Sequence, residues 1–224
     1  MPKTNQCHRG EVHILLKIGP RKTYFEIHAS AVMEKSEILK AKIEEVIGSR
    51  TWIDSLLRRP IVLSLPDERE ELWDIYIEHV ETGKISTSKI TTTTSLSKAG
   101  REPYELLAEL YVLGERLLDK PFRNAVLATF IRLSSIMGKK EKRHYMPSDK
   151  AIEITYSGTG MGSPARRLMV HFYVASRETE VLEGEKIPKR YAIDVAHALS
   201  DLAEGRGAKN VVLGCKLERE AYFL

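Results

Sequence analysis

The 224-residue chain carries 35 Lys and Arg against 31 Asp and Glu, a formal charge of +4, and that small excess argues against affinity built on nucleic-acid phosphates. Leu, Ile, Val and Phe make up about 27% of it, above the roughly 20% below which chains stay disordered, so a core can form. No apolar run approaches the roughly 18 residues of a membrane span, Met1 to Gly10 has no apolar signal-peptide core, and Cys7 and Cys215 make no disulfide framework; the expectation is an intracellular protein of one or two domains without a membrane partner.

Val12, Ile14, Leu16 and Ile18 recur at every second position, the period of a half-buried strand. Gly19-Pro20-Arg21 breaks the run, and Tyr24 to Ile27 alternates again, which predicts a β-hairpin. After His28 the spacing becomes helical through Val32, Ser36, Leu39, Ile43 and Val46, with Gly48 placed to end the helix. Ser49 to Arg59 has no clear period. Ile61 to Leu65 is short, branched and apolar, as a buried strand is, and Pro66 closes it. Asp67 and Glu70 have the spacing of a capping box for a helix burying Leu72, Trp73, Tyr76, Ile77 and Val80 and stopped at Gly83.

Ser86 to Arg101, with its Thr91–Thr94 tract, reads as a mobile loop. Leu106, Leu107, Leu110, Leu113, Leu117 and Leu118 then mark an amphipathic helix, and Asp119-Lys120-Pro121 ends it and starts another lined by Phe122, Ala125, Val126, Phe130 and Leu133, an αα-hairpin. Ile152, Ile154 and Tyr156 suggest a short extended segment. Ser163 and Pro164 suit the cap and first position of a helix with Leu168, Phe172 and Ala175 on its apolar side. A last helix is predicted over Lys189–Glu204, with Tyr191, Val195, Leu199 and Leu202 on one face and Gly205 as its stop.

In order along the chain, Phe25-Glu26-Ile27-His28 with Val32, Ser36 and Leu39, then Leu65-Pro66-Asp67, then Tyr76 with Thr82-Gly83-Lys84-Ile85, then Leu107 to Asn124, resemble the BTB/POZ pattern over roughly residues 9 to 135. Gly162 to Val170 is similar to the GSPLRRLLV segment that follows the BTB domain in many short fungal BTB proteins, with Ala165 in place of the usual Leu. The resemblance implies an α/β (α+β) unit with a small, mainly three-stranded sheet flanked by helical hairpins. The organisation expected is a tail at 1–8, the BTB/POZ domain at 9–135, a basic linker at 136–150 and a mostly helical extension at 151–224.

Such domains are protein-interaction modules, so the resemblance implies a non-catalytic adaptor that forms a homodimer or other homo-oligomer and recruits partner proteins. His28 reads as structural, satisfying backbone groups where strand turns into helix. Cys7, His8 and His13 fit no common zinc spacing, and no nucleophile, base and orienter can be assembled, so neither a cofactor nor an enzymatic activity is expected. Transcription-factor members pair an acid on the first strand with a base after the motif histidine; Glu11 supplies the first, but Ala29 stands at the second. Cullin-binding members carry a hydrophobic-x-Glu motif; in register its positions are Ile47 and Ser49, whereas Ile43-Glu44-Glu45 has the right letters four residues early. A ubiquitin-ligase adaptor that binds a cullin is therefore the second reading.

Lys139, Lys140, Lys142 and Arg143 resemble a short nuclear localisation signal, with a solvated linker as the plain alternative, so the compartment expected is cytoplasm, nucleus or both. From another class, the Gly158–Ser163 loop ahead of Arg166 and Arg167 has the composition of a phosphate- or nucleotide-binding loop, although it lacks the Lys-Ser/Thr of a P-loop and the full dinucleotide fingerprint.

Overall fold

The computed structural model describes residues 13–51, 60–95, 103–141, 147–176 and 187–204. Strands β1 (His13–Ile18), β2 (Thr23–His28) and β3 (Ile61–Leu65) form one sheet in the order β2-β1-β3. The predicted hairpin is present: β1 and β2 pair antiparallel from His13↔His28 to Ile18↔Thr23, while β3 lies parallel to β1 with Ile14 opposite Ile61. The alternation does what a period of two dictates. Ile14, Leu16, Ile18, Ile27, Ile61 and Leu63 are buried beneath the sheet, and His13, Tyr24, Glu26, His28 and Val62 face outward.

Gly19 opens the hairpin turn at φ +69°, and a Cβ there would approach the Glu70 side chain at 2.9 Å and the Glu68 carbonyl at 3.0 Å, so both the conformation and the space call for glycine. The carboxylate of Glu70 pairs with Arg21 at 2.7 Å instead of closing a capping box. Accordingly the following helix starts at Glu70 with Arg69 at its cap, and Asp67 sits exposed outside it.

The helices are α1 (Ala29–Met33), α2 (Glu37–Gly48), α3 (Glu70–Thr82), α4 (Thr87–Ser95), α5 (Pro103–Arg116), α6 (Lys120–Glu141), α7 (Asp149–Gly158), α8 (Pro164–Ser176) and α9 (Lys189–Ala203). The sheet and helices together make a mixed α/β architecture, mostly helical. Where a single helix is expected after His28 there are two, because Ser36 is extended and caps α2, its hydroxyl oxygen accepting Leu39 N–H at 3.1 Å. His28 caps α1 with its backbone and not through a side-chain cap hydrogen bond; its ring packs 4.1 Å from that of His13 on the exposed sheet face.

Part of the expected Ser/Thr loop is helix α4. Buried Ile85 and Ile90 anchor it, and Lys89 bridges to Asp74 at 2.8 Å and Glu78 at 2.9 Å on α3. Ser86 Oγ accepts Lys89 N–H at its start, and Thr91 returns its hydroxyl to the Thr87 and Ser88 carbonyls. The segment expected to be extended around Ile152 is helix α7, capped by Ser148; Ile152 and Tyr156 are one helical turn apart and both buried.

α5 is the central element. Tyr104, Leu106, Leu107, Leu110, Tyr111 and Leu113 are all buried, so apolar groups lie around most of its circumference, as in a helix enclosed on several sides. It packs against α3, α4, α6 and α7. Leu118, expected on its buried stripe, is 50% exposed, because it takes the left-handed position of the helix stop at φ +53° while Asp119 N–H returns to the Gly114 carbonyl at 3.0 Å.

The expected linker is helical as far as Glu141, and one continuous core joins sheet, α5–α6 and α7–α9. α9 matches its predicted span, with Tyr191 and Val195 buried and Leu199 42% exposed. Glu11, Cys7, Cys215, Lys142, Arg143 and Gly205 lie outside the described residues. No helix among those described is long and apolar enough to cross a membrane.

Candidate functional site

Two places merit a functional reading: the cluster formed by the sequence-predicted motif residues, and the cleft where the C-terminal helices meet. In the first, Ser36 is fully buried and, besides capping α2, donates its hydroxyl to the Leu117 carbonyl at 2.6 Å, across 81 residues of chain. Tyr76 donates to Asp119 Oδ2 at 3.0 Å, and Asp119 Oδ1 accepts Phe122 N–H at 2.8 Å, which caps α6. Burial pushes the Asp119 carboxyl up from its ordinary range, while bonds from Phe122 N–H and Tyr76 act against that; burial and the neighbouring Asp119 keep the Tyr76 phenol protonated. The Tyr76 and Phe122 rings meet edge to face with centroids 4.9 Å apart. This cluster ties the helices around α3, α5 and α6 together and is closed to solvent, so its role is structural.

The other motif residues divide by exposure. Leu39 is buried, Phe25 and Leu65 are half-buried against the core, and Pro66 and Thr82 lie at the surface. Gly83 takes the left-handed cap of α3 at φ +71°. Among the candidate partner-binding residues on α2, Ile43 is wholly buried in the core, so it presents nothing to a partner, whereas Glu44, Glu45 and Ile47 are exposed. Lys139 and Lys140 fall on the last turns of α6.

The second place is a cavity of about 280 Å³ bordered by the Met161–Ser163 turn, α8 and α9. The Gly158–Ser163 loop is built differently from the phosphate-cradling loop its glycines suggest. Gly158 is the last residue of α7, and a Cβ there would come within 2.3 Å of Val112 Cγ2, so its smallness serves the close approach of α7 to α5. Ser163 N–H is directed at the Gly160 carbonyl and Pro164 has no N–H, so neither of these two positions offers a backbone donor to an anion.

Side chains dominate the cleft instead. Arg166 stacks 4.7 Å over the Tyr156 ring and donates to Thr159 Oγ1 at 3.0 Å, the Tyr156 carbonyl at 2.7 Å and the Thr159 carbonyl. Asp194 joins α9 to this group, accepting from Tyr156 Oη at 3.0 Å and pairing with Arg190 at 3.0 Å. His171 is held below the usual histidine range by burial and then by Arg167, so it is neutral at pH 7.

Of this second place only the glycines and the Arg166-Arg167 pair stand out in the sequence. The convergence of His171, Arg190, Asp194 and His197 depends on how α9 docks, and the one local signal for it is the i,i+4 spacing of Arg190 and Asp194. Among the described residues no group of His, Cys, Asp and Glu is arranged to hold a metal ion. No protein-family model matches the chain, and no curated protein does.

Proposed function

We propose that the chain is a BTB/POZ protein acting as a non-catalytic interaction module, which self-associates and recruits partner proteins. The observation that carries this reading is that separate pieces of the sequence resemblance touch one another. Ser36 of the first piece bonds to Leu117 of the last, and Tyr76 bonds to Asp119, across 43 residues. A chance collection of short matches has no reason to converge on one buried network. In support, the hairpin, α1–α2, the third strand and then α3–α6 follow in that order, a small three-stranded sheet among helices of the kind the resemblance implies.

Light scattering on a sizing column tests self-association: a dimer or larger assembly is expected at micromolar chain concentration, and a monomer throughout would remove it. A cullin is the second reading, resting on the exposed Glu44, Glu45 and Ile47 of α2. If a cullin docks there, Ile47→Arg lowers its capture by the full chain about five- to thirtyfold, a single apolar anchor contributing about 1 to 2 kcal/mol. Equal capture by both forms would remove this surface as the cullin site.

A further inference from the structure

The charges in the cleft between α8 and α9 do not cancel. Asp194 is committed to Arg190 and to the Tyr156 hydroxyl. Asp201 also lines the cleft and is engaged by another group. Arg166, half-buried, donates only to neutral oxygens, so among the described residues no carboxylate compensates its charge. Arg167 beside it is exposed, its side chain making no hydrogen bond or ion pair among those residues. A guanidinium removed from water without a counter-ion costs stability unless an anion neutralises it. Arginine's fork of donors suits the oxygens of a phosphate group better than a monovalent ion.

We propose that this cleft is a binding site for a phosphate monoester, with Arg167 and the remaining N–H groups of Arg166 contacting the phosphate oxygens and His197 beside them at the wall. The cavity, about 280 Å³, is at the small end of ligand sites, which fits a phosphate on a compact substituent such as a phosphorylated side chain or a small sugar. Met161, 81% exposed at the rim, can close over the apolar part of such a substituent. Recognition through side chains is independent of the interaction role proposed above.

Isothermal titration of the full chain tests it, with O-phosphoserine and glucose 6-phosphate as probes and serine, glucose and sulfate as controls at matched ionic strength. A dissociation constant of about 1 mM or below is expected for at least one phosphate ester, with no heat from serine or glucose and at least tenfold weaker sulfate binding. Arg167→Gln is expected to weaken the ester about tenfold, the loss of one charged hydrogen bond, and to leave the melting temperature unchanged because the exposed Arg167 side chain makes no hydrogen bond or ion pair among the described residues. Lys40→Gln, on the exposed side of α2, serves as the charge-matched control and is expected to change nothing. Absence of ester binding up to about 10 mM, equal affinity for sulfate, or equal binding by Arg167→Gln would each overturn the proposal.

Discussion

The sheet-bearing half of the molecule and its C-terminal helices share α5 and one core, yet they are held by different means. In the first half, buried polar groups reach across long stretches of chain, Ser36 to Leu117 and Tyr76 to Asp119. In the second, the contacts are mainly steric and aromatic, Gly158 against Val112, Phe172 near Tyr104 and Tyr191 edge-on to Tyr156, and the long-range polar bond from Tyr156 to Asp194 is only part-buried. Buried hydrogen bonds select one arrangement because every alternative leaves a donor or acceptor unpaired. Close packing selects by shape, so small changes of volume shift its helices. The difference teaches that polar specificity sits where remote segments must find one another, and shape specificity where successive helices stack on a surface already made.

The sharpest way to break this comparison is to strike where the halves join. Tyr104 is wholly buried on α5, stacked on Phe130 of α6 at 5.7 Å and lying 6.1 Å from Phe172 of α8. Tyr104→Ala is expected to cost about 3 to 5 kcal/mol in denaturant titrations. Because the core is continuous, near- and far-ultraviolet circular dichroism of the unmodified protein should report one transition. Two resolved transitions would divide the halves into separate cooperative units.

Each means of support can then be probed alone. Ser36→Ala removes a helix cap and leaves the Leu117 carbonyl unpaired in the interior, together about 2 to 3 kcal/mol. Gly158→Ala forces a methyl into Val112 and is expected to cost about 2 kcal/mol. Its loss should be largely recovered in the double variant with Val112→Ala, a coupling that a backbone effect at Gly158 would not show.

The same contrast governs how much the sequence disclosed. Strand alternation in β1, the short apolar run of β3 and the stripes of α3, α5 and α6 are local patterns and are legible directly, although β3 is buried on one face only, with Val62 outward. The break between α1 and α2 is not, since Val32, Ser36 and Leu39 keep helical spacing and the role of Ser36 depends on a carbonyl 81 residues away. Helix α4 is hidden by Ser and Thr, weak helix formers, and exists through Ile90 and the Lys89 bridges to α3. At α7, Ile152, Ile154 and Tyr156 alternate like a strand, while the pair that matters is Ile152 with Tyr156. Of the cleft, glycines and adjacent arginines were visible, but the docking of α9 that brings Arg190 and His197 to them is a tertiary event with no local signature.

The smallest expected effect sharpens the comparison through pH, because a buried histidine ring of the sheet-bearing half has no hydrogen-bond partner among the described residues. His79 on α3 is only 3% exposed, packs 5.2 Å from the Phe122 ring, and has no hydrogen bond to either ring nitrogen among the described residues. Burial, and then the charge of Lys35, lowers its pKa to about 4. The unfolded chain takes up this proton as pH falls through about 6.5, whereas the folded protein resists until about 4, so between those values the unfolded state binds more protons. Stability from this group is therefore full above pH 6.5 and declines as the solution is acidified toward 4, by on the order of 1 to 2 kcal/mol once solvent screening is allowed for. Asp119 acts in the opposite sense, because its carboxyl is raised and the folded state takes up that proton first. His79→Leu isolates the histidine, since it keeps the apolar volume and removes the titration. Denaturant midpoints at pH 7, 5.5 and 4.5 should fall less steeply in His79→Leu than in the unmodified chain, and parallel curves would assign the acid sensitivity to other groups.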